Sequence, residues 1–171
     1  MSTTEKLNGY GPLAGVKVVE LCEWVAAPAC VRCLSEMGAT VIKVEPPYGD
    51  AQRTQGPGFG CEQTDMEDPT IDLNNTNKNF VSINLKNEEG MKFMKKLLAD
   101  ADIFVNNLRD KALNKMGLDY ETLHKEFPTL IWAQMRGYGE YGPEKDSPGF
   151  DAVCWACLLY TSPSPRDLST S

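Results

Sequence analysis

The chain has 171 residues, and its 17 Lys and Arg against 24 Asp and Glu give a formal net charge of −7. This acidity argues against binding to nucleic acid or to anionic membranes, because both need a basic face. Hydrophobic residues make up 42% and charged residues 24%, as in a folded globular protein. The chain has a single histidine, His124, which excludes His-rich zinc sites and HExxH metalloproteases.

Neither a membrane span nor an export signal is recognisable in the chain. No run approaches the roughly 18 apolar residues that a spanning helix needs. The first residues, 1–15, lack the apolar segment of a secretory signal. We therefore expect a cytoplasmic protein with no membrane partner.

The first half of the chain begins with a strand, a helix and a second strand. Residues 16–21 are rich in β-branched side chains and predict a strand. A helix is predicted over 26–37, with Pro28 near its start and Gly38 as its stop. The next strand is predicted over 39–45. This βαβ order favours a parallel sheet with a right-handed crossover. Residues 46–76 are rich in Pro, Gly, Asp and Asn and predict a long functional excursion rather than regular structure.

The second half continues the alternation of strands and helices. Strands are predicted over 80–85, 101–107 and 130–135, and helices over 88–100 (capped by Asn87), 112–116 (ended by Gly117) and 120–127 (capped by Asp119). This order is typical of a doubly wound α/β fold with a mainly parallel, Rossmann-like sheet.

A GxGxxG pattern follows the last predicted strand, with its glycines at Gly137, Gly139 and Gly142. A dinucleotide site needs the third glycine to enter a helix, whose N-terminus binds the phosphates. Pro143 and Pro148 follow at once, so the pattern predicts a glycine-rich turn instead.

Asp151, in the segment PGFD, has two possible roles. It can cap a helix beginning at Ala152, which the spacing alone favours. It can also be a carboxylate nucleophile just beyond the end of a strand, where α/β sheets bind their ligands. His124 lies among Glu and Lys, and we expect it on a solvated helix face.

Two CxxC pairs, Cys30/Cys33 and Cys154/Cys157, have a spacing that occurs in zinc sites. We favour reduced thiols and no metal, with Cys30 and Cys33 as small core residues of a helix. Basic residues near the predicted strand ends indicate either a mixed-charge surface or a site for a polyanion, and composition does not decide between them: Lys43, Arg53, Lys78, Lys86, Arg109, Lys111, Lys115 and Arg136.

The last residues, 157–171, differ in character from the rest and have a bias to Ser, Thr and Pro. A back-translation of residues 157–167 matches a transposase-type sequencing adapter read in frame. We therefore interpret 157–171 as an unstructured, translated adapter. Residues 1–156 are then the N-terminal portion of a larger domain.

The order of motifs resembles the N-terminal part of a family III CoA-transferase, from Leu13 to Ala156. The segments that carry the resemblance are GPLAGVKVVEL, AAPAC, MGATVIKVEPPYGD, NTNKNFVSINLKNEEG, ADIFVNN, KMGLDYETL, RGYGEYGP and PGFD. Within the family, IDLNNTNK, KALNKMGLDYETL and GYGEYGPEKDSPGFD are most similar to the branch that acts on 2-hydroxy acids.

The resemblance implies an enzyme that moves CoA from an acyl-CoA to a carboxylic acid. Asp151 aligns with the family's catalytic aspartate, which implies a mixed anhydride followed by an aspartyl-CoA thioester. CoA is a substrate here, with no tightly bound cofactor and no metal, and Gly137, Gly139 and Gly142 support the reacting centre. The implied CoA contacts are Trp24, Val25, Ala26, Ile83, Lys86, Asn107, Leu108, Ala112, Lys115 and Arg136.

The family fold is an interlocked homodimer, so the 171-residue chain by itself is expected to be inactive. Glu23, Trp24 and Pro46 depart from the residue types expected of the family. Two alternatives stay open: an acyl-CoA racemase of the same family, which would use a His/Asp pair, and a non-catalytic remnant that binds CoA or a nucleotide.

Overall fold

The structure is a computed structural model, and it describes residues 10–61, 64 and 67–149. The chain divides into two compact units, Met1–Met135 and Arg136–Ser171.

The first unit is built on a five-stranded sheet in the order β3-β2-β1-β4-β5, and each pair of neighbours is parallel. This arrangement confirms the predicted Rossmann-like sheet. The first strand lies at the centre, and the chain crosses it on the way from β3 to β4. The strands are β1 (Lys17–Leu21), β2 (Thr40–Glu45), β3 (Asn79–Ser82), β4 (Ile103–Asn106) and β5 (Ile131–Gln134).

Most helices begin and end where local chemistry predicts. They are α1 (Ala26–Glu36), α2 (Pro69–Asn75), α3 (Glu88–Ala99), α4 (Asp110–Met116) and α5 (Tyr120–Glu126). Asn87 caps α3 by accepting the N–H of Gly90, and Asp119 caps α5 by accepting the N–H of Thr122. Gly117 ends α4 in the left-handed region, with φ 66°.

Successive residues of a strand point to opposite faces of the sheet, so these strands have an apolar face on each side. Helices cover both faces. Val18 packs with Ala27 and Val31 of α1 in one cluster. Val19 and Phe104 pack in the other cluster, where apolar residues of three helices meet the sheet. These are Met94 and Leu98 of α3, Leu113 of α4 and Leu123 of α5. The two clusters form the core on either side of a doubly wound α/β sheet.

The excursion at 46–76 contains more regular structure than the sequence predicts. Two single 3₁₀ turns, Ala51–Thr54 and Gly56–Phe59, precede α2. Asp68 caps α2 through the N–H of Ile71, and Pro69 occupies its first position. The prediction of an irregular segment was wrong here because α2 is short and mostly polar, with no apolar periodicity to reveal it.

Three smaller expectations also need correction. The third strand is shorter than 80–85 and ends at Ser82. Cys30 and Cys33 are exposed thiols on α1 and do not belong to the core. Lys43 lies inside β2 with a fully buried side chain and is no part of a charged surface. In contrast, His124 is exposed on α5 as expected, stacked on Tyr120 with ring centroids 5.2 Å apart.

In the second unit, residues 136–149 form bends and turns, and no helix begins within that described stretch. This agrees with the glycine-rich turn predicted for 137–142. A Cβ on Gly137 would lie 2.3 Å from the Cα of Gly149, so the two glycines let their backbones touch. Gly142 has φ +100° and needs the conformational freedom of glycine. Among the helices of the described residues, none is long and apolar enough to cross a membrane.

Candidate functional site

The sheet brings the loops that follow β1 and β4 side by side. β1 pairs with β2 on one side and with β4 on the other, so the strand order reverses at β1. In open α/β sheets, ligands bind at such a switch point, beyond the carboxyl ends of the strands. The predicted contact residues 24–26 and 107–108 belong to these two loops.

A reciprocal pair of hydrogen bonds joins the two loops. The N–H of Glu23 donates to Oδ1 of Asn107 at 3.0 Å, and Nδ2 of Asn107 donates to the carbonyl of Glu23 at 2.7 Å. One side chain thus satisfies both backbone groups of a residue on the neighbouring loop. This connection fixes the spacing between the start of the β4–α4 loop and the segment after β1. We call that segment, residues 22–28, the β1–α1 loop; it comprises the connection 22–25 and the first turn of α1.

Trp24 makes the turn from β1 into α1. Its φ of 69° lies in the left-handed region, which a residue with a large side chain seldom adopts. Its N–H donates to Oδ1 of Asp50 at 3.1 Å, so a residue of the excursion holds the turn. Trp24 and Val25 are both exposed residues, at 36% and 51%.

The first turn of α1 lies at the same edge. It contains no acidic residue, and within the described part of the chain no side chain caps it at Val25. Backbone N–H groups at a helix N-terminus at a switch point suit a phosphate, and an exposed indole beside them suits a planar ring. The arrangement is therefore suited to a nucleotide-like ligand with phosphates.

Four charged side chains are buried beneath this turn: Glu20, Lys43, Asp50 and Lys78, each with a side chain of 0% exposure. Lys43 Nζ lies 3.1 Å from Glu20 Oε1 and 3.0 Å from Asp50 Oδ2. Lys78 Nζ lies 2.7 Å from Glu20 Oε2. Two positive and two negative charges balance one another, as buried charges must to offset their desolvation. We call these four residues the buried charge network.

The pKa values in this region follow from burial and from the opposing charges. Burial raises the pKa of Glu20 above its ordinary value, and Lys43 and Lys78 oppose the rise. Burial works to lower the pKa of Lys43, but the charges of Glu20 and Asp50 outweigh it and raise the pKa. For Lys78, burial prevails and lowers the pKa. Half-buried Glu23 has a raised pKa, mainly through burial and then through the charge of Asp50.

The β4–α4 loop has its own anchor on the last residue of β5. Gln134 Nε2 donates to the carbonyl of Leu108 at 2.7 Å and to Oδ1 of Asp110 at 3.1 Å. Leu108 is half-buried against the core, while Ala112 and Lys115 are exposed on α4. These predicted contacts follow β4 directly, on the loop and helix that leave the switch point.

Two predicted contacts lie at the other end of the sheet. Ile83 and Lys86 follow β3, which is the edge strand beyond β2. Ile83 is only 6% exposed and packs in the core, with its N–H donating to the carbonyl of Glu45 at 2.8 Å. Lys86 is exposed. They share the carboxyl edge of the sheet with Trp24 and Asn107 but are separated from them by β2.

The remaining predicted residues lie in the second unit or outside the described residues. Arg136 is half-buried, and Gly137, Gly139 and Gly142 lie in the turns that follow it. Asp151, together with the alternative helix cap at that position, falls outside the described residues. Cys154, Cys157 and the predicted adapter at 157–171 also fall outside them.

Sequence reasoning missed Glu20, Asp50 and Gln134, and it treated Lys43 and Lys78 only as members of a basic surface set. The sequence did contain a signal for Glu20 and Lys43, because these charged residues interrupt the apolar runs VVEL and VIKV. A charge inside a strand buried on both faces needs a charged partner. Gln134 likewise interrupts the apolar run LIWAQM. For Asp50 no comparable signal existed, since it stands in the polar excursion.

The sequence is similar to one family of known proteins. Residues 13–162 match the family model described as CoA-transferase family III. The (R)-2-hydroxy-4-methylpentanoate CoA-transferase of Clostridioides difficile is 47% identical over 159 residues, which cover 93% of this chain and 40% of that protein. The cinnamoyl-CoA:phenyllactate CoA-transferase of Clostridium sporogenes is 49% identical over 144 residues, which cover 84% of this chain and 35% of that protein.

Solved structures agree with the sequence matches. The crystal structure of a CAIB/BAIF family protein from Brucella suis superposes with a TM-score of 0.79 at 36% identity. The match covers 85% of this chain and 39% of that protein's chain. The chain thus spans about two-fifths of the length of the relatives that it matches.

Proposed function

Because the chain belongs to CoA-transferase family III, we propose that it carries the CoA-binding region and the nucleophile of an enzyme that transfers CoA from an acyl-CoA to a free carboxylic acid. We propose a 2-hydroxy acid as one of the two acids exchanged. The names of the relatives from Clostridioides difficile and Clostridium sporogenes support this choice, since each includes a 2-hydroxy acid. The whole enzyme is proposed to act as a homodimer.

The proposed reaction is a series of acyl exchanges on Asp151. Its carboxylate attacks the thioester carbonyl of the donor, and the C–S bond breaks. This step releases CoA as a thiolate and leaves the acyl group joined to Asp151 as a mixed anhydride. The thiolate then attacks the aspartyl carbonyl, which gives an aspartyl-CoA thioester and releases the donor acid as a carboxylate. The acceptor carboxylate repeats both steps in reverse, so that CoA leaves on the acceptor and Asp151 is restored.

The observation that carries the proposal is the pair of loops at the switch point. They bring an exposed indole, the open N-terminus of α1 and Asn107 to the edge where such sheets bind nucleotides. We propose Trp24, Val25 and Ala26 on one loop, and Asn107, Leu108, Ala112 and Lys115 on the other, as CoA contacts. Ile83, Lys86 and Arg136 are proposed as additional contacts, and the glycine turn as the support of the reacting centre.

The test is the substitution Asp151→Asn in a protein extended to the length of its relatives by the reading frame of its gene. Loss of the covalent nucleophile is expected to lower kcat by at least about 1,000-fold. Binding of CoA is expected to persist. Asp146→Asn, an exposed aspartate in the preceding turn, is the matched control and is expected to retain full activity. Undiminished transfer by Asp151→Asn would contradict the covalent role.

A further inference from the structure

We propose that Asp50, Lys43 and Lys78 are positioning residues that hold the β1–α1 loop, residues 22–28, in the geometry that binds CoA. This inference rests on the proposed function, since it assigns a task to groups that lie beneath the proposed CoA contacts. Its evidence is the set of backbone atoms to which the buried charge network is bonded.

The two lysines each bind one end of the loop. Lys43 Nζ donates to the carbonyl of Cys22 at 2.8 Å, where the loop leaves β1. Lys78 Nζ donates to the carbonyl of Pro28 at 2.8 Å, in the first turn of α1. Both side chains come from outside the loop, one from β2 and the other from the residue before β3. The loop is therefore fastened at its beginning and at its end by buried ammonium groups.

Within the described part of the chain, each ammonium group makes two hydrogen bonds and one further ion pair. Lys43 has the oxygens of Glu20, Cys22 and Asp50 within 3.1 Å. Lys78 has those of Glu20, Pro28 and Asn75 within 2.9 Å. An ammonium group has three N–H donors, so three oxygens on different sides hold its position. A buried lysine held in this way is a firm anchor.

Asp50 holds the middle of the loop. Its Oδ1 accepts the N–H of Trp24 at 3.1 Å and the N–H of Gln52 at 2.9 Å, while its Oδ2 faces Lys43 at 3.0 Å. The carboxylate is thereby oriented by Lys43 on one side and presents its other oxygen to the turn. Hydrogen bonds to a charged acceptor are stronger than neutral ones.

This support explains how Trp24 keeps an unfavourable backbone conformation. A left-handed φ persists at a non-glycine residue only where the surroundings over-determine it. Here the carbonyl of Cys22, both backbone groups of Glu23 and the N–H of Trp24 are each bonded to a side chain from another element. With those bonds removed, we expect the turn to relax and the indole to leave its place at the switch point.

The experiment uses the same extended protein as the Asp151→Asn test. Binding of free CoA is measured by titration calorimetry, and amide hydrogen exchange at Trp24 is measured by mass spectrometry. Asp50→Ala is expected to raise the Kd for CoA about tenfold, a change of ~1.4 kcal/mol, and to speed exchange at Trp24. Asp50→Asn keeps an acceptor for the Trp24 N–H and is expected to have a smaller effect on both. Asp72→Ala, an exposed aspartate of α2, is the matched control and is expected to leave both unchanged.

Lys78→Met extends the test to the other end of the loop, with exposed Lys92→Met as its control. If Asp50→Ala does not fold, Asp50→Asn decides the question by the same two measurements. A lowered melting temperature with unchanged Kd and unchanged Trp24 exchange would show a purely structural network and overturn the proposal. Failure of the unaltered protein to bind CoA would instead contradict the proposed function, and exchange at Trp24 would still test the anchoring.

Discussion

Asn107 connects the two loops at the switch point through a single side-chain amide. Its carboxamide both accepts and donates, so it replaces two backbone interactions that neither strand could supply beyond its end. A carboxylate at this position could accept the N–H of Glu23 but could not donate to its carbonyl. The residue type is therefore explained by the geometry, whatever the ligand.

Replacement of Asn107 by Ala tests that connection. Two hydrogen bonds of about 1 kcal/mol each are lost, so we expect the free energy of unfolding to fall by about 1–2 kcal/mol. We also expect the Kd for CoA to rise about tenfold, because the β1–α1 loop loses its fixed distance from β4. Urea unfolding and titration calorimetry measure the two effects. Asn114→Ala, at an exposed position of α4, serves as the control, and equal effects from the two variants would contradict the assignment.

At the scale of elements, caps and close contacts decide where the helices of this chain begin. Gly90 lies in the first turn of α3, where a Cβ would come within 2.1 Å of the carbonyl oxygen of Asn84. In an open helix, a change from Gly to Ala stabilises by about 1 kcal/mol. Here the steric clash outweighs that gain, because backbone has to move.

We therefore predict that Gly90→Ala lowers the free energy of unfolding by about 1–3 kcal/mol, the usual cost of overpacking. Gly58→Ala is the control, since a Cβ there meets nothing within 4 Å and the residue has no positive φ. Chemical unfolding followed by circular dichroism compares the two. A Gly90→Ala variant as stable as the unaltered chain would show that the Asn84 carbonyl moves away at little cost.

The cap of α5 gives a prediction that depends on pH. Slight burial raises the pKa of Asp119, but the hydrogen bonds from Thr122 outweigh it and hold the pKa below its ordinary value of 3.8. A lowered pKa in the folded state means that the cap stabilises above pH 3.8 and that this contribution is lost as the pH falls through the folded value. We expect Asp119→Ala to cost about 1 kcal/mol near neutral pH and less in acid.

Unfolding in urea at a series of pH values measures this loss. Asp119→Asn is the matched variant, because its amide oxygen still accepts the N–H of Thr122 but does not titrate in this range. It is expected to retain most of the stability and to lack the acid dependence. An Asp119→Ala deficit that is the same at every pH would contradict the role assigned to the carboxylate.

The elements also show how far the sequence predicts this structure. Asn87, Gly117 and Asp119 sit at helix boundaries where their side chains or conformations act locally, and so those boundaries could be predicted. The helix Pro69–Asn75 could not, since it depends on packing against α1 rather than on its own apolar pattern. The resemblance indicated the loops at the switch point. The charges inside two apolar strands indicate that Glu20 and Lys43 have buried partners, but the strand register that pairs them is not revealed by any local pattern.

At the scale of the whole molecule, the relatives are about two and a half times as long as the matched region, which covers 40% of the one from Clostridioides difficile. We propose that a region corresponding to the additional length of the relatives completes both the active site and the homodimer. The 171-residue chain is expected to show no CoA transfer, whereas a protein extended by its own reading frame is expected to be dimeric and active.

Light scattering after size exclusion gives the mass of each species, and a transfer assay with an acyl-CoA and a 2-hydroxy acid gives the rate. The short chain under the same conditions is the matched control. A short chain that transfers CoA as fast as the extended protein would contradict this division of the molecule.

Trapping the intermediate on Asp151 tests its proposed role as nucleophile most directly. The extended protein is incubated with acyl-CoA and hydroxylamine, digested, and sequenced by mass spectrometry. An anhydride or an aspartyl thioester reacts with hydroxylamine, so we expect a hydroxamate on Asp151 that depends on acyl-CoA and is absent from Asp151→Asn. Full transfer activity with Asp151 unmodified, or with the label on another carboxylate, would contradict it.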